Sequence, residues 1–248
     1  MSNDVVFLLD VDNTLLDGDR IVADLHHHVA AEFGRPCSAR YGAIFDALRT
    51  ELGYVDYLGA LQRYRQEIEL DVAKESVDQQ RLLLLMSNFL LDYPFADRLY
   101  PRALDVIKHL GRYGPTVILT DGDVVLQPRK LLRSGLWNAV DGRVLIYVHK
   151  EQMLAAVHRH HPARHYVMVD DKLRILTAMK AVWQDRLTTL FVRQGHYALD
   201  PAVIAAHPAA DASIDHIGEL ADADLSALVE GTFNDDRPWG THAVGAAA

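Results

Sequence analysis

The chain has 248 residues and a formal net charge of −9, and half of its residues are hydrophobic. This length suits one large domain or a core with an inserted subdomain. Because no basic cluster accompanies the negative charge, nucleic acids and anionic membrane surfaces are not expected partners. The single cysteine excludes an internal disulfide, and no apolar stretch approaches the roughly 20 residues that span a bilayer, so we expect a soluble, cytoplasmic protein.

Five short apolar runs, most of them rich in β-branched residues, recur along the chain and predict buried strands. They are VVFLL (5–9), TVILT (116–120), RVLIYV (143–148), HYVMV (165–169) and LTTLFV (187–192). Continuous apolar strands that alternate with helical patterns are typical of a parallel sheet covered on both faces. The predicted fold class is therefore α/β, with a doubly wound parallel sheet.

Helical patterns lie between these strands. The predicted helices include PRKLLRSGL (128–136), KEQMLAAVHRH (150–160) and KLRILTAMKAVW (172–183). Residues 212–230, ASIDHIGELADADLSALVE, predict a short edge strand followed by a closing helix.

Residues 20–93, between the first two predicted strands, show helical periodicity alone. Apolar side chains recur at helical spacing, for example at Tyr41, Ile44, Phe45, Leu48 and Leu52. We interpret this block as an inserted all-helical cap domain. The predicted organisation is a core made of residues 1–16 and 98–230, a helical cap at 17–97, and a flexible C-terminal tail at 231–248.

Polar residues at the carboxyl ends of three predicted strands mark the candidate site. Asp10 and Asp12 come at the end of the first strand, and Thr120 ends the second. Asp170 and Asp171 follow the fourth. Ligands bind at this edge of a parallel sheet, and carboxylates that converge in a partly desolvated cleft repel one another. A hard divalent cation with oxygen ligands offsets that charge, so the pattern predicts a Mg²⁺ site.

The spacing of the first two acids suggests how they divide the chemistry. Asp10 and Asp12 leave the strand on the same side, because side chains two residues apart share a face. One carboxylate can therefore attack an electrophile while the other transfers a proton. Thr120 and the backbone N–H groups after it are candidates to donate hydrogen bonds to phosphoryl oxygens.

A cation from the protein is needed to complete the neutralisation of a bound phosphate. Lys150 directly follows the third apolar run and heads a predicted helix, so it is the first candidate. Lys130 and Lys172 are the alternatives.

The order of these motifs resembles that of the haloacid dehalogenase (HAD) superfamily of phosphohydrolases. The hallmark of that family, Asp-x-Asp-x-Thr after an apolar strand, is FLLDVDNTLL here, and VILTDGD, YVHKEQML and VMVDDK follow in the family's order. The resemblance spans about residues 5–195. It implies a Rossmann-like core, and the helical insertion resembles a C1-type cap.

The resemblance also implies a role for each motif residue. Asp10 would be the nucleophile, and Asp12 the general acid and base. The implied Mg²⁺ ligands are Asp10, the backbone carbonyl of Asp12, Asp170, and Asp171 either directly or through water. The implied phosphate-binding group is Thr120, Asp121 and Lys150, although many relatives have an asparagine where this chain has Asp121, which adds negative charge there.

Asp12 separates the activities known in this superfamily, because the dehalogenases resemble this fold but lack the second aspartate and need no metal. The sequence therefore favours a Mg²⁺-dependent phosphatase that cleaves a small soluble phosphomonoester, a phosphorylated metabolite, through an aspartyl-phosphate. The alternatives are a phosphomutase, a non-catalytic HAD-fold binding protein and, less favoured, a 2-haloacid dehalogenase. The sequence leaves the physiological substrate and the oligomeric state open.

Overall fold

The computed structural model describes residues 3–70 and 79–230. Its strands are β1 (Asn3–Leu9), β2 (Thr116–Asp121), β3 (Val144–Tyr147), β4 (Ala163–Asp170), β5 (Leu187–Val192) and β6 (Ala212–Ile214). They form one parallel sheet in the order β3-β2-β1-β4-β5-β6. The predicted α/β class is confirmed, and all five apolar runs form strands.

The segment between β1 and β2 is helical, as its periodicity predicts. Its helices are α1 (Gly18–Phe33), α2 (Arg35–Leu52), α3 (Tyr57–Leu70) and α4 (Gln79–Asp92). The apolar face of α2 is buried at Tyr41, Phe45 and Leu48. Residues 71–78 lie outside the described residues, and the domain boundaries proposed above stay a prediction.

The remaining helices flank the sheet. They are α5 (Ala103–Leu110), α6 (Leu126–Ser134), α7 (Leu136–Ala139), α8 (Leu154–His160), α9 (Leu173–Trp183), α10 (Gly195–Leu199), α11 (Pro201–Ala205) and α12 (Ser226–Glu230). The predicted edge strand and closing helix correspond to β6 and α12. The predicted tail, 231–248, lies outside the described residues. No helix in the described part of the chain is long and apolar enough to cross a membrane.

The prediction of one continuous helix from Lys150 to His160 is wrong. Lys150–Gln152 form a 3₁₀ turn, and α8 begins only at Leu154. The backbone N–H of Lys150 donates to Asp121 Oδ1 at 2.8 Å, which ties this turn to the end of β2. Because Lys150 is fixed to the sheet in this way, the α-helix starts after it.

The central strand β1 is buried on both faces, with alternate side chains on opposite sides. Val5, Phe7 and Leu9 join an apolar cluster that continues into the helical segment between β1 and β2. Val6 and Leu8 join a second cluster with side chains of α8 and α9. Two covered faces explain why the strands read as continuous apolar runs rather than as alternating ones.

The two connections between the sheet and the helical segment run side by side. Leu16, after β1, forms an antiparallel bridge with Leu99, before α5. Asp17 N donates to Arg98 O at 2.8 Å, and Tyr100 N donates to Leu15 O at 2.9 Å. The chain therefore leaves and re-enters the core at one place, close to the predicted catalytic loop.

Candidate active site

The register of the central strands brings the predicted acids together. Leu9 pairs with Val169, so Asp10 and Asp170 come at the same level of the sheet. Asp10 N donates to Val169 O at 3.0 Å. Asp10, Asp170 and Asp171 each offer a carboxylate oxygen within 4.8 Å of the others, and all three residues are buried. These are three of the four residues that the sequence assigns to the metal.

Asp171 has the most unusual surroundings of the three. It is 1% exposed, and neither carboxylate oxygen has a hydrogen-bond partner among the described residues. Burial raises the pKa of Asp171 well above its ordinary value, and the neighbouring Asp170 adds to the effect. Burial likewise raises the pKa of Asp10 to about 6, against the opposing charge of Lys150. A carboxylate in such a place needs a cation, and the oxygen donor set suits a hard divalent ion such as Mg²⁺.

Lys150 directly contacts the acidic cluster. Its side chain is buried, its ammonium contacts Asp10 Oδ1, and it lies 2.8 Å from Asp170 Oδ2. Burial lowers the pKa of Lys150, but Asp10 and Asp170 raise it by more, so the amine stays charged. Of the alternative lysines, Lys172 lies with its ammonium 5.0 Å from the centre of the Tyr197 ring. Burial lowers the pKa of Lys172, but the charges of the three acids raise it by more, so Lys172 is a second positive charge near the cluster.

The carboxylate of Asp12 lies outside the three-acid cluster, and α6 holds it. Lys130 Nζ lies 2.7 Å from Asp12 Oδ1 and 2.8 Å from Oδ2. Gln127 Nε2 donates to Asp12 Oδ2 at 3.3 Å and to Thr120 Oγ1 at 2.9 Å. The side chain of Asp12 keeps 27% of its surface exposed, against 8% for Asp10, so Asp12 is the more accessible acid of the pair.

The predicted phosphate-binding residues at the end of β2 are already hydrogen-bonded. Thr120 is buried, and its hydroxyl donates to Asp121 O at 3.3 Å while it accepts from Gln127. Asp121 Oδ1 accepts from Lys150 N, and burial raises the pKa of Asp121. Asp121 therefore fixes the Lys150 turn, which is a role that the sequence does not reveal.

The segment after β5 holds the loop of Asp10 and Asp12 in place, and the sequence analysis missed it. Gln194 Nε2 donates to Asn13 O at 3.3 Å and to Thr14 O at 3.1 Å. His196 N donates to Asp19 Oδ2 at 2.8 Å, and Asn13 Nδ2 donates to Asp19 Oδ1 at 3.1 Å. A signal was available, because Gln194 and Gly195 follow the carboxyl end of a buried strand on the same edge as the acids.

We expect Gly195→Ala to destabilise the protein more than Gly135→Ala. Both glycines have positive φ, +73° and +84°, so each alanine carries the backbone strain of roughly 1 kcal/mol. A Cβ on Gly195 would also overlap the side chain of Asn13, whereas one on Gly135 would meet no described atom within 4 Å. Chemical denaturation of the two variants measures the difference. Equal losses would contradict the close approach of the two loops.

The helical segment covers this edge of the sheet. Lys130 Nζ lies 5.8 Å from the centre of the Tyr57 ring of α3. Arg49 NH1, on α2, lies 3.3 Å from His196 Nε2, and the Tyr54 ring meets His149 edge-on at 6.2 Å. The acids therefore lie between the strand ends and the helices.

Comparison with known proteins decides the family. The model of the haloacid dehalogenase-like hydrolase family matches residues 5–182. The chain belongs to this family. This confirms the resemblance found in the sequence motifs, and this haloacid dehalogenase-like hydrolase is accordingly an enzyme of the hydrolase class. A comparison with curated proteins gave no match.

Solved structures agree with this assignment. A haloacid dehalogenase-like hydrolase from Burkholderia xenovorans LB400 is 62% identical, with a TM-score of 0.83 over 90% of this chain and 99% of the other. The HAD-hydrolase YfnB from Bacillus subtilis, solved with bound magnesium, is 18% identical, with a TM-score of 0.59 over 88% and 97%. The L-2-haloacid dehalogenase from Xanthobacter autotrophicus is 17% identical, with a TM-score of 0.56 over 89% and 97%. The last two share the fold, and at this identity nothing further follows from them.

Proposed function

We propose that this hydrolase is a Mg²⁺-dependent phosphatase that cleaves a small phosphomonoester through an aspartyl-phosphate on Asp10. The observation that carries the proposal is the buried carboxylate of Asp171, which has no hydrogen-bond partner in the described part of the chain and lies beside Asp10 and Asp170. Lys150 contacts two of these acids, and the charge of Lys172 acts on all three. Three desolvated acids beside two lysines are still short of positive charge. Bound Mg²⁺ would supply that charge and would also polarise a phosphoryl oxygen.

Asp10 is the proposed nucleophile. Its Oδ2 accepts from the Thr14 hydroxyl at 3.2 Å, and its Oδ1 contacts Lys150, so both oxygens are oriented. An oxygen of Asp10 would bond to phosphorus while the bond from phosphorus to the leaving oxygen breaks. The Lys150 ammonium offsets the negative charge that gathers where the carboxylate meets the phosphate.

Asp12 is the proposed general acid and base. Its carboxyl group would give a proton to the leaving oxygen in the first step and take one from the attacking water in the second. Asp12 suits this role because it lies next to Asp10 in the loop but outside the acidic cluster, and part of its side chain remains exposed. The presence of Asp12 also favours phosphoryl transfer over carbon–halogen cleavage. The family resemblance implies that dehalogenases lack an aspartate at this position.

The covering helices support a small substrate. Tyr57 and Arg49 contact the groups around the strand ends, which leaves little room for a folded phosphoprotein. A phosphorylated metabolite is therefore the proposed partner class. Exclusion of water by these helices would protect the aspartyl-phosphate until the leaving group has departed.

The direct test is hydrolysis of p-nitrophenyl phosphate with Mg²⁺ and with excess EDTA. We expect turnover with Mg²⁺ and a loss of about 10²-fold or more in EDTA, because the metal supplies several kcal/mol of transition-state stabilisation. Equal turnover in EDTA would contradict the metal requirement. Metal-independent halide release from 2-chloropropionate, without phosphatase activity, would assign the dehalogenase reaction instead.

A further inference from the structure

Two side chains of α6 converge on the carboxylate of Asp12. Lys130 Nζ is within 2.8 Å of both carboxylate oxygens, and Gln127 Nε2 lies 3.3 Å from Oδ2. Gln127 and Lys130 are three residues apart, which places them on one face of the helix. The first turns of α6 therefore present two donors to one acid.

Lys130 is buried for this contact. It is 3% exposed, and the described hydrogen bonds of its ammonium both go to Asp12. The Tyr57 ring covers it from the helical segment, with 5.8 Å between Nζ and the ring centre. Removing an ammonium from water is unfavourable unless a charged partner compensates. A lysine kept in such a place with one acid as its partner indicates a role at that acid.

Lys150 and Lys130, both buried, contact different carboxylates. Lys150 lies against Asp10 and Asp170, whereas Lys130 lies against Asp12. The hydrogen bonds from Lys130 to both Asp12 oxygens fix the rotation of the carboxylate. Each oxygen keeps a second lone pair that can accept a proton. Without these hydrogen bonds, a partly exposed aspartate would move among its rotamers.

We propose that Lys130, supported by Gln127, is a positioning residue that directs the Asp12 carboxylate toward the leaving oxygen of the substrate. This inference rests on the proposed phosphatase function. In the first step the Asp10 oxygen bonds to phosphorus, the bond to the leaving oxygen breaks, and the proton of the Asp12 carboxyl goes to that oxygen. In the second step water bonds to phosphorus, its proton goes to Asp12, and the bond to Asp10 breaks. Lys130 exchanges no atom in either step.

If Lys130 positions Asp12, the loss of kcat/KM in a Lys130 variant should depend on the leaving group of the substrate. Protonation matters greatly for an alcohol and little for p-nitrophenol, which departs readily as an anion. The ratio kcat/KM covers the steps up to departure of the leaving group. We therefore expect Lys130→Met to lower kcat/KM for benzyl phosphate by about 10-fold or more, part of the 10²–10⁴-fold that general acid–base catalysis supplies. The same variant should lower kcat/KM for p-nitrophenyl phosphate by less than about threefold.

Three further variants complete the experiment. Lys130→Arg should recover most of the benzyl phosphate activity, because a guanidinium can hold both carboxylate oxygens. Gln127→Leu should show the same selective loss of benzyl phosphate activity to a smaller degree. This variant tests the proposal if Lys130→Met does not fold. Lys180→Met is the matched control, since Lys180 pairs with Asp211 at 2.8 Å away from the acids, and it should leave the ratio of the two substrates unchanged.

The outcomes separate this inference from the function on which it rests. An equal loss of kcat/KM on both substrates would make Lys130 a structural residue and overturn the proposal. A rise in KM on both, with kcat kept, would make it a substrate-binding residue and also overturn it. If the wild-type protein with Mg²⁺ hydrolyses neither phosphate, the proposed phosphatase function itself fails.

Discussion

An Asp10→Asn variant is expected to lose hydrolysis of p-nitrophenyl phosphate by about 10³-fold or more. The amide cannot form the aspartyl-phosphate, and it also removes the carboxylate that Lys150 contacts at the end of β1. The measurement is steady-state release of p-nitrophenol at saturating Mg²⁺. Mass spectrometry of acid-quenched wild-type enzyme should find the phosphate on the peptide that contains Asp10.

Asp4→Asn is the matched control for this substitution. Asp4 lies in β1, the strand that Asp10 follows, but its side chain is 90% exposed and pairs loosely with Arg164 at 3.8 Å. Because exposed ion pairs contribute little, this variant should keep the wild-type rate. Wild-type turnover by Asp10→Asn would show that another group captures phosphorus.

An Asp171→Asn variant is expected to be more stable than the wild type without metal and to lose the stabilisation that Mg²⁺ gives. In the metal-free protein Asp171 is a buried acid whose oxygens find no hydrogen-bond partner among the described residues. Burial disfavours its charged form, and a neutral amide avoids that cost. In the wild type, Mg²⁺ binds the folded state and should raise the melting temperature. Each kcal/mol corresponds to about 2–4 °C for a chain of this size. Thermal melts in EDTA and in Mg²⁺ measure both effects.

The raised pKa of Asp171 predicts how the stability of the metal-free protein changes with pH. The folded-state pKa of Asp171 lies well above the ordinary value of 3.8. The folded protein therefore holds a proton that the unfolded chain has released. The stability contributed by Asp171 is present in full below pH 3.8 and is lost as pH rises toward the folded-state pKa. Asp171→Asn should consequently lose less stability than the wild type over this interval.

Asp185→Asn, an exposed acid after α9, is the control for Asp171→Asn. It should follow the wild type in EDTA, in Mg²⁺ and across pH. A melting temperature of Asp171→Asn that rises with Mg²⁺ as much as the wild type does would contradict the metal assignment.

The fold was predictable because strands buried on both faces are continuous apolar runs in the sequence. The run at 187–192 matches β5 at both ends. The sequence predicts no full strand order, but the shared site requires β1, β2 and β4 to be neighbours, and they are. The helix expected from Lys150 was not predictable in detail, because its start depends on Asp121, 29 residues earlier in the chain. Hydrogen bonds between residues far apart in the chain do not affect the local pattern of apolar residues from which helices are predicted.

The site was predictable where it depends on strand ends and not where it depends on helices. Asp10, Asp170 and Asp171 meet because parallel strands end together, and these positions could be read from the sequence. The sequence identifies Lys130 only as an alternative to Lys150 for binding phosphate. The residues next to Lys130 in the sequence do not show which acid its side chain contacts. His196 was missed for a similar reason, since its contact with Asp19 joins residues 177 positions apart.

The bridge between Leu16 and Leu99 has a consequence for how the length of the chain can vary. Both connecting stretches are held in one register by Asp17 and Tyr100, so neither can gain or lose a residue independently of the other. We therefore expect insertions to be tolerated best at the far ends of the helical hairpins, and insertions between Thr14 and Gly18 to disrupt the bridge. Diversity of size in such enzymes would accumulate at a distance from the aspartates.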